Sequence, residues 1–400
     1  MSWPLVPIKE LCELAVDCVN KTAPTVDYET EFKMIRTTNV KGGFINLDEV
    51  RYVTEEVFTK WTRRSRPRYG DVVLTREAPV GEVGRFTSND DKVFLGQRLF
   101  HYRPDPEKLD WNYLAYALQS PQVQGRLKGM GFGATVDHVR VGDAENLPIP
   151  CPPFTVQKTI GDTLSTYDDL IENNRRRIQL LEQAARLLYK EWFTHLRFPG
   201  HEHVKLKDGV PEGWERKVLG DICLEVRETV SPSALEANTH YIGLEHIPRR
   251  SITLCEWGQA EQVTSSKHRF RAGEILFGKI RPYFHKVGIA LTDGVASSDA
   301  IIIRPVNPQI LALVLMTTSS DGFVAATAQQ MKEGSKMPRA DWKQMQQYPV
   351  PLPTDGLLCA FNDFIDPILN QLKTLAFANK RLGAARDLLL PRLMNGEISA

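Results

Sequence analysis

No stretch of the 400-residue chain approaches the ~18 consecutive apolar residues that a membrane-spanning helix requires. The opening MSWPLVPIKELCEL lacks a basic head followed by an apolar run, so no secretory leader is expected. The expectation is a cytoplasmic chain without a membrane partner. Cysteine is scarce: Cys12, Cys18, Cys151, Cys223, Cys255 and Cys359 stand singly, with no CxxC pair. That pattern argues against a disulfide frame or a zinc site and favours reduced thiols. Net charge is only +1, so the chain as a whole does not carry the basic surplus of a dedicated nucleic-acid domain, and any basic surface must be local. No GxxxxGK[ST] loop occurs, which excludes the usual ATP-binding loop. His201-Glu202-His203 is the nearest approach to a metal motif, but three adjacent residues without further ligands nearby do not make a site, and no metal is expected. What remains, 42% hydrophobic and 25% charged, is an ordinary globular composition with length for about two to four domains.

What the chain does contain is itself, twice. Gly133-Ala134-Thr135-Val136 lies opposite Gly334-Ser335-Lys336-Met337, an offset of 201 (334 minus 133). The same offset places Pro148, Pro150 and Pro152 on Pro349, Pro351 and Pro353. Each proline block reads as an extended stop between a domain and a helix. Upstream the match continues with small shifts. Arg68-Tyr69-Gly70-Asp71-Val72-Val73-Leu74 resembles Arg271-Ala272-Gly273-Glu274-Ile275-Leu276-Phe277, a glycine turn, an acid and then a buried strand. MIRTTNV (34–40) resembles YIGLEHI (241–247).

The helical segments superimpose at the same offset. Ile160, Leu164, Tyr167, Ile171, Asn174, Ile178, Leu181, Ala185, Leu188 and Trp192 alternate by fours and threes. Their partners are Phe361, Ile365, Ile368, Leu372, Leu375, Asn379, Leu382, Arg386, Leu389 and Leu393. This heptad seam is the period of supercoiled helices, and its polar members, Asn174, Asn379 and Arg386, are of the kind that fixes register. A helix of ~40 residues spans about 60 Å. The expected fold is α+β: two similar α/β domains separated by two long helices packed as an antiparallel coiled coil with an approximate two-fold axis. Expected boundaries are residues 1–150, 151–205, 206–350 and 351–400. Asp168, Asp169 and Glu172 are expected on the helix surface.

IENNRRRIQLLEQAARLLYKEWF with the following RFPGHE, VPEGWERKVLGDIC, GEILFGKIRPYFHKV and AARDLLLPRLMNGEIS occur in this order along the whole chain. Together they resemble the specificity subunit of type I restriction-modification systems. The resemblance implies two target-recognition domains, 1–150 and 206–350, each reading half of a bipartite, asymmetric site in double-stranded DNA. The helical spacers would dock two methyltransferase subunits, and motor-nuclease subunits would complete the complex. It further implies no chemistry in this chain: methyl donor, ATP and magnesium would belong to the partners, so no cofactor and no catalytic residue is expected. One departure stands out. GKIRPYFHK (278–286) is well formed, whereas LTREAPVGEVG (74–84) replaces it in the first copy, with Arg76 opposite Lys279.

Local basic clusters supply the DNA-binding candidates. KWTRRSRPRY (60–69) holds Lys60, Arg63, Arg64, Arg66 and Arg68, no acid and two aromatics. Such a loop suits phosphate contact, with an arginine reaching guanine; it equally suits a solvated basic surface. In the second copy Lys267, Arg269, Lys279, Arg281 and Lys286 surround the Gly273 turn, with Tyr283 and Phe284 between them. The loops 131–138 and 333–341, with Thr135 and Lys336, could bring backbone amides to phosphate or simply close tight connections. Arg175, Arg176 and Arg177, with Trp192 and Phe193, are candidates for docking a partner. Ile171, Ile178, Leu181, Leu188, Leu372, Leu382, Leu389 and Leu393 are the expected seam.

Two other readings compete with this one. Pro150-Cys151-Pro152 superficially resembles the Pro-Cys nucleophile of cytosine-C5 methyltransferases, which would make the chain a self-sufficient methyltransferase. No glycine-rich donor loop follows a strand in the first 100 residues, and the repeat places Leu352 where Cys151 stands. The amino-methyltransferase signature, Asp/Asn-Pro-Pro-aromatic, is also missing. The other reading is a coiled-coil adaptor whose globular ends bind proteins.

Overall fold

A computed structural model describes residues 3–130, 138–207, 209–329 and 337–398. Two compact units emerge, Met1–Leu170 with Arg381–Ala400, and Ile171–Lys380.

The first unit is built on an antiparallel sheet whose strands lie in the order Cys12–Asp17, Leu99–Pro104, Val72–Arg76, Val80–Arg85. A smaller sheet pairs Lys33–Ile35 in parallel with Val93–Leu95. The second unit repeats this arrangement. Its main sheet runs Cys223–Val226, Ala300–Pro305, Ile275–Gly278, Val287–Ala290, with a short parallel strand, Thr253–Leu254, added at the edge. His240–Ile242 pairs in parallel with Gly294–Ala296. Both units are therefore α+β, and the duplication seen in the sequence is a duplication of topology.

The matched turns show why these residues make these strands. Gly70 and Gly273 adopt φ of 85° and 88°, the left-handed region that glycine enters without a Cβ clash. The acid that follows folds back to accept a backbone N–H: Arg68 N–H donates to Asp71 at 2.8 Å, and Arg271 N–H to Glu274 at 2.9 Å. Each acid is also paired with an arginine on the neighbouring strand of the sheet, Asp71 with Arg103 at 2.8 Å and Glu274 with Arg304. Burial pushes the Asp71 carboxyl up, but hydrogen bonds from His101 and Arg103 outweigh it and hold the group below the usual carboxylate range. Continuous apolar runs then enter the sheet, and Val72, Val73, Leu74, Ile275 and Leu276 are fully buried. One helix crosses each sheet, Trp111–Gln119 or Leu311–Thr318, with Tyr113–Leu118 and Ala312–Thr318 all inside.

The long helices are Phe154–Tyr189 and Asp355–Met394. In the second unit they run antiparallel: the Asn174 side-chain N–H donates to the Asn379 side-chain carbonyl at 2.9 Å, while Trp192 lies 5.7 Å from Phe361 and 6.2 Å from Phe364. Ile171 and Leu372 are buried, and Ile178, Leu181 and Leu188 are half-buried against the same core. In the first unit Ile160 and Leu164 share a core with Leu390, Leu393 and Met394, Leu389 packs against that core, and Leu382 is half-buried. A fully buried leucine or isoleucine contributes about 1.5–3 kcal/mol.

Asp168 is a correction to the surface placement expected for it. Its side chain is 1% exposed and carries ion pairs to Arg386 at 2.5 Å and Arg85 at 3.2 Å, and it accepts the Tyr116 hydroxyl at 2.5 Å. Asp169 and Glu172 do face solvent. The physical reason is position: Asp168 is one residue off the seam, so it turns toward the domain that the helix packs against. No heptad count distinguishes that side from open solvent.

Glu182 has a comparable role in the second unit. One of its oxygens accepts from Ser251 Oγ, Ile252 N, Thr253 N and Thr253 Oγ1, at 2.8, 3.1, 3.0 and 2.5 Å. Burial raises its pKa, against the pull of the Thr253 and Ser251 hydrogen bonds. A raised folded pKa means that ionisation opposes folding. The loss is nil below the ordinary carboxylate pKa and grows as pH rises toward the folded value. Glu182→Gln keeps the acceptor and removes that loss, so its stability at neutral pH is expected to equal or exceed that of the native chain. Glu182→Ala strands the donors and is expected to cost about 2–4 kcal/mol. Urea unfolding of both variants from acid to neutral pH checks this; equal destabilisation by the two would contradict it.

Candidate nucleic-acid interface

In each unit the hairpin that follows the acid-capped turn is tied by backbone hydrogen bonds to a later segment of the chain. In the first unit Arg76 ends the strand Val72–Arg76, and its carbonyl accepts from Val139 N at 3.0 Å. In the second, the Lys279 carbonyl accepts from Ala340 N at 2.8 Å. These bonds tie the hairpin to the segments emerging from the glycine loops. Thr135 and Lys336, and the loops' central residues, lie outside the described residues.

Most of the basic side chains read from the sequence already have partners. Lys60 sits 5.7 Å from the Trp61 ring, and Arg66 lies 5.4 Å from the Phe58 ring. Arg64 pairs with Asp17 at 2.5 Å and Arg68 with Glu13 at 2.8 Å. Arg63 is exposed. Arg76 donates to the Val139 carbonyl at 2.8 Å, but its buried Nε has no partner among the described residues. The acids, Glu13 and Asp17, come from a distant strand, so a run free of acids in sequence is partly neutralised in space.

In the second unit Lys267 is buried and donates to the Ser265 carbonyl and hydroxyl at 3.0 and 2.7 Å. Lys286 donates to the Leu244 carbonyl at 2.5 Å. Lys279 donates to the Ser298 carbonyl at 3.1 Å. Burial lowers the pKa of Lys279 and of Lys286. Arg269 and Arg281 are exposed, and Arg281 adopts φ of 50°, left-handed backbone that is strained in a residue with a side chain. Arg281 and Arg269 are thus the freest of the five. Sequence reasoning missed Arg339, which pairs with Asp299 at 3.2 Å, and, in the first unit, Arg36 and Arg98. A signal existed: MIRTTNV and YIGLEHI differ in charge at Arg36 and Gly243.

Of the docking candidates, Arg175, Arg176 and Arg177 are exposed, with Arg175 3.5 Å from Glu172. Trp192 and Phe193 are core residues instead. After Tyr189 the helix widens into a π turn, His195 N–H reaching the Lys190 carbonyl at 2.8 Å. The wider turn lets two neighbouring residues face inward. Both pack on Phe361, at 5.7 and 4.9 Å, so they support the surface rather than form it.

Each unit thus carries exposed arginines suited to a polyanion, Arg63 in the first and Arg269 and Arg281 in the second. Residues 2–183 match the family described as type I restriction modification DNA specificity domain. The MjaIX specificity subunit of Methanocaldococcus jannaschii is 24% identical over 368 residues, 87% of this chain and 82% of that one. The EcoDI specificity subunit of Escherichia coli is 26% identical over 58% of this chain and 57% of its own length. The crystal structure of the type I specificity subunit from M. genitalium shares the fold, with a TM-score of 0.59 at 19% identity over 98% of this chain and 96% of that one. The resemblance drawn from the sequence holds: residues 2–183 match the type I DNA specificity domain, and most of the chain is similar to a type I specificity subunit.

Proposed function

We propose that this chain is the non-catalytic DNA-reading subunit of a type I restriction-modification complex. Each unit reads one half of a bipartite, asymmetric site in double-stranded DNA. The paired long helices form the antiparallel spacer and dock two methyltransferase subunits, and motor-nuclease subunits join for cleavage. Methyl donor, ATP and magnesium are held by the partners, and the complex works in the cytoplasm. The observation that carries this reading is the repetition of one sheet topology in a chain whose first copy matches a DNA specificity domain. Duplex DNA presents its sequence on base edges and its charge on phosphates, so two similar readers on one chain suit a split site.

Purified with its methyltransferase subunit, the chain is expected to bind duplex DNA with steep salt dependence. With ~6–10 phosphate contacts, affinity falls about 10³–10⁵-fold between about 50 and 200 mM salt. Flat affinity across that range would remove the proposal. Incorporation of labelled methyl groups by the chain alone would instead favour a self-sufficient methyltransferase.

A further inference from the structure

A pocket of about 170 Å³ opens in the first unit between the ends of the parallel strands Lys33–Ile35 and Val93–Leu95. Arg36, Arg98, Thr22, Thr37, Thr38 and Gln97 supply its polar lining, which contains no carboxylate. Gly96 closes the floor: a Cβ there would stand 2.8 Å from the Ile35 carbonyl, so only glycine lets the two strand ends approach.

One of the two cations here, Arg36, has a nitrogen not spent on the fold. The Arg36 Nε is buried and has no hydrogen-bond partner among the described residues. A buried donor left unpaired is costly, and a guanidinium more so, which makes such a group conspicuous in a folded chain. Arg98 stands in left-handed backbone, φ 72°, on an exposed side chain whose Nε is 3.1 Å from Glu77. The pocket is joined to the hairpin end of the sheet: Thr37 Oγ1 donates to the Ala78 carbonyl at 3.0 Å, and Arg76 N–H to the Arg98 carbonyl at 2.9 Å.

The second unit shows what the same scaffold looks like without this feature. Arg36 N–H donates to Asn39 Oδ1 at 2.9 Å, and at the matching turn Gly243 N–H reaches His246 Nδ1 at 2.9 Å. The turn is conserved between the copies while its cation is not. Asp299 takes the place of Arg98 and is ion-paired with Arg339. A guanidinium fork, a second arginine that Glu77 holds from outside the lining, hydroxyls and an amide around the hollow suit a tetrahedral anion.

We infer that the Arg36–Arg98 pocket binds one backbone phosphate of the DNA duplex, a register contact that the first unit has and the second lacks. This rests on the DNA-reading function proposed above. A phosphate contact positions the duplex without reporting sequence, so its loss should weaken all sequences alike.

The test uses the complex of the full chain with its methyltransferase. Affinity is measured against salt on a duplex bearing the methylated site, mapped genomically, and on a mixed-sequence duplex. Arg36→Gln is expected to weaken both about tenfold and to lower the salt slope by about 1. Its melting temperature should be unchanged or higher, because a buried N–H without a partner is gone. Arg36→Lys, which keeps the charge without the fork, should recover the slope and part of the affinity. Should Arg36→Gln melt lower, the exposed Arg98→Gln must show the same fall in slope at native stability, and its failure to do so overturns the assignment. Native DNA binding with unchanged affinity and slope in the variants overturns the pocket and leaves the function standing. A loss confined to the site-bearing duplex makes Arg36 a base reader and also overturns it. If the native complex binds neither duplex, function and pocket fall together.

Discussion

Exchanging residues 1–170 together with 381–400 for the matching segments of another type I specificity subunit is expected to change one half of the methylated site and leave the other half intact. The first unit completes its own cores from its own residues: Phe100, Tyr102, Tyr113 and Leu118 in one, Ile35, Val73 and Leu95 in another. The second unit does likewise around Phe277, Val314 and Phe323. Side chains that read bases in one unit are thus positioned by packing within that unit. At about 1–3 kcal/mol per mismatched base pair, a half-site with several mismatches loses on the order of 4–10 kcal/mol, enough to abolish methylation at the old sites. The exchange must reach residue 170 because Arg85 and Tyr116 both bind Asp168, and it must include 381–400 because Arg386 also binds Asp168 and Leu390, Leu393 and Met394 share the first unit's core. Genome-wide mapping of methylated adenines reads the result. If both halves changed together, the two units would not be independent readers.

Replacing Asp168 by alanine is expected to destabilise the first unit by about 3–5 kcal/mol, since it removes the anion between two guanidiniums and leaves the buried one uncompensated. Arg85 is 3% exposed and Arg386 23%, so neither charge regains full hydration. For a unit of this size about 2–4 °C is lost per kcal/mol, a fall in melting temperature of roughly 6–20 °C. Asp168→Ala with Arg386→Ala should cost less than the sum of the single changes, because the second removes one of the charges stranded by the first. Differential scanning calorimetry of the three variants decides it; additive losses, or an unshifted transition in Asp168→Ala, would contradict the network. At offset 201, Leu369 and Ala185 occupy the positions of Asp168 and Arg386. The two copies thus use opposite chemistry at one place, polar in the first unit and apolar in the second, which makes the pair a means of telling the helices apart.

Repeats and periods are properties of neighbouring residues, and that is why they were legible. The turn glycines, the acids after them, the apolar strands and the long heptad runs each follow from local chemistry, and their recurrence at a nearly constant offset exposed the duplication. Basic residues were legible as residue types but not as free charges. Glu13 and Asp17 neutralise Arg68 and Arg64 across more than 40 positions of sequence, and backbone carbonyls absorb Lys267 and Lys286.

By itself, then, the sequence determined the two-copy plan, the long helices and the resemblance to type I specificity subunits, because strand runs, turn signals and heptads need only near neighbours. Tertiary structure alone decided that Asp168 turns inward, that Trp192 and Phe193 both enter the core through a π turn, and that Arg36 keeps an unpaired nitrogen. Each of those outcomes depends on which distant group arrives within hydrogen-bonding reach, and only the folded chain brings such groups together.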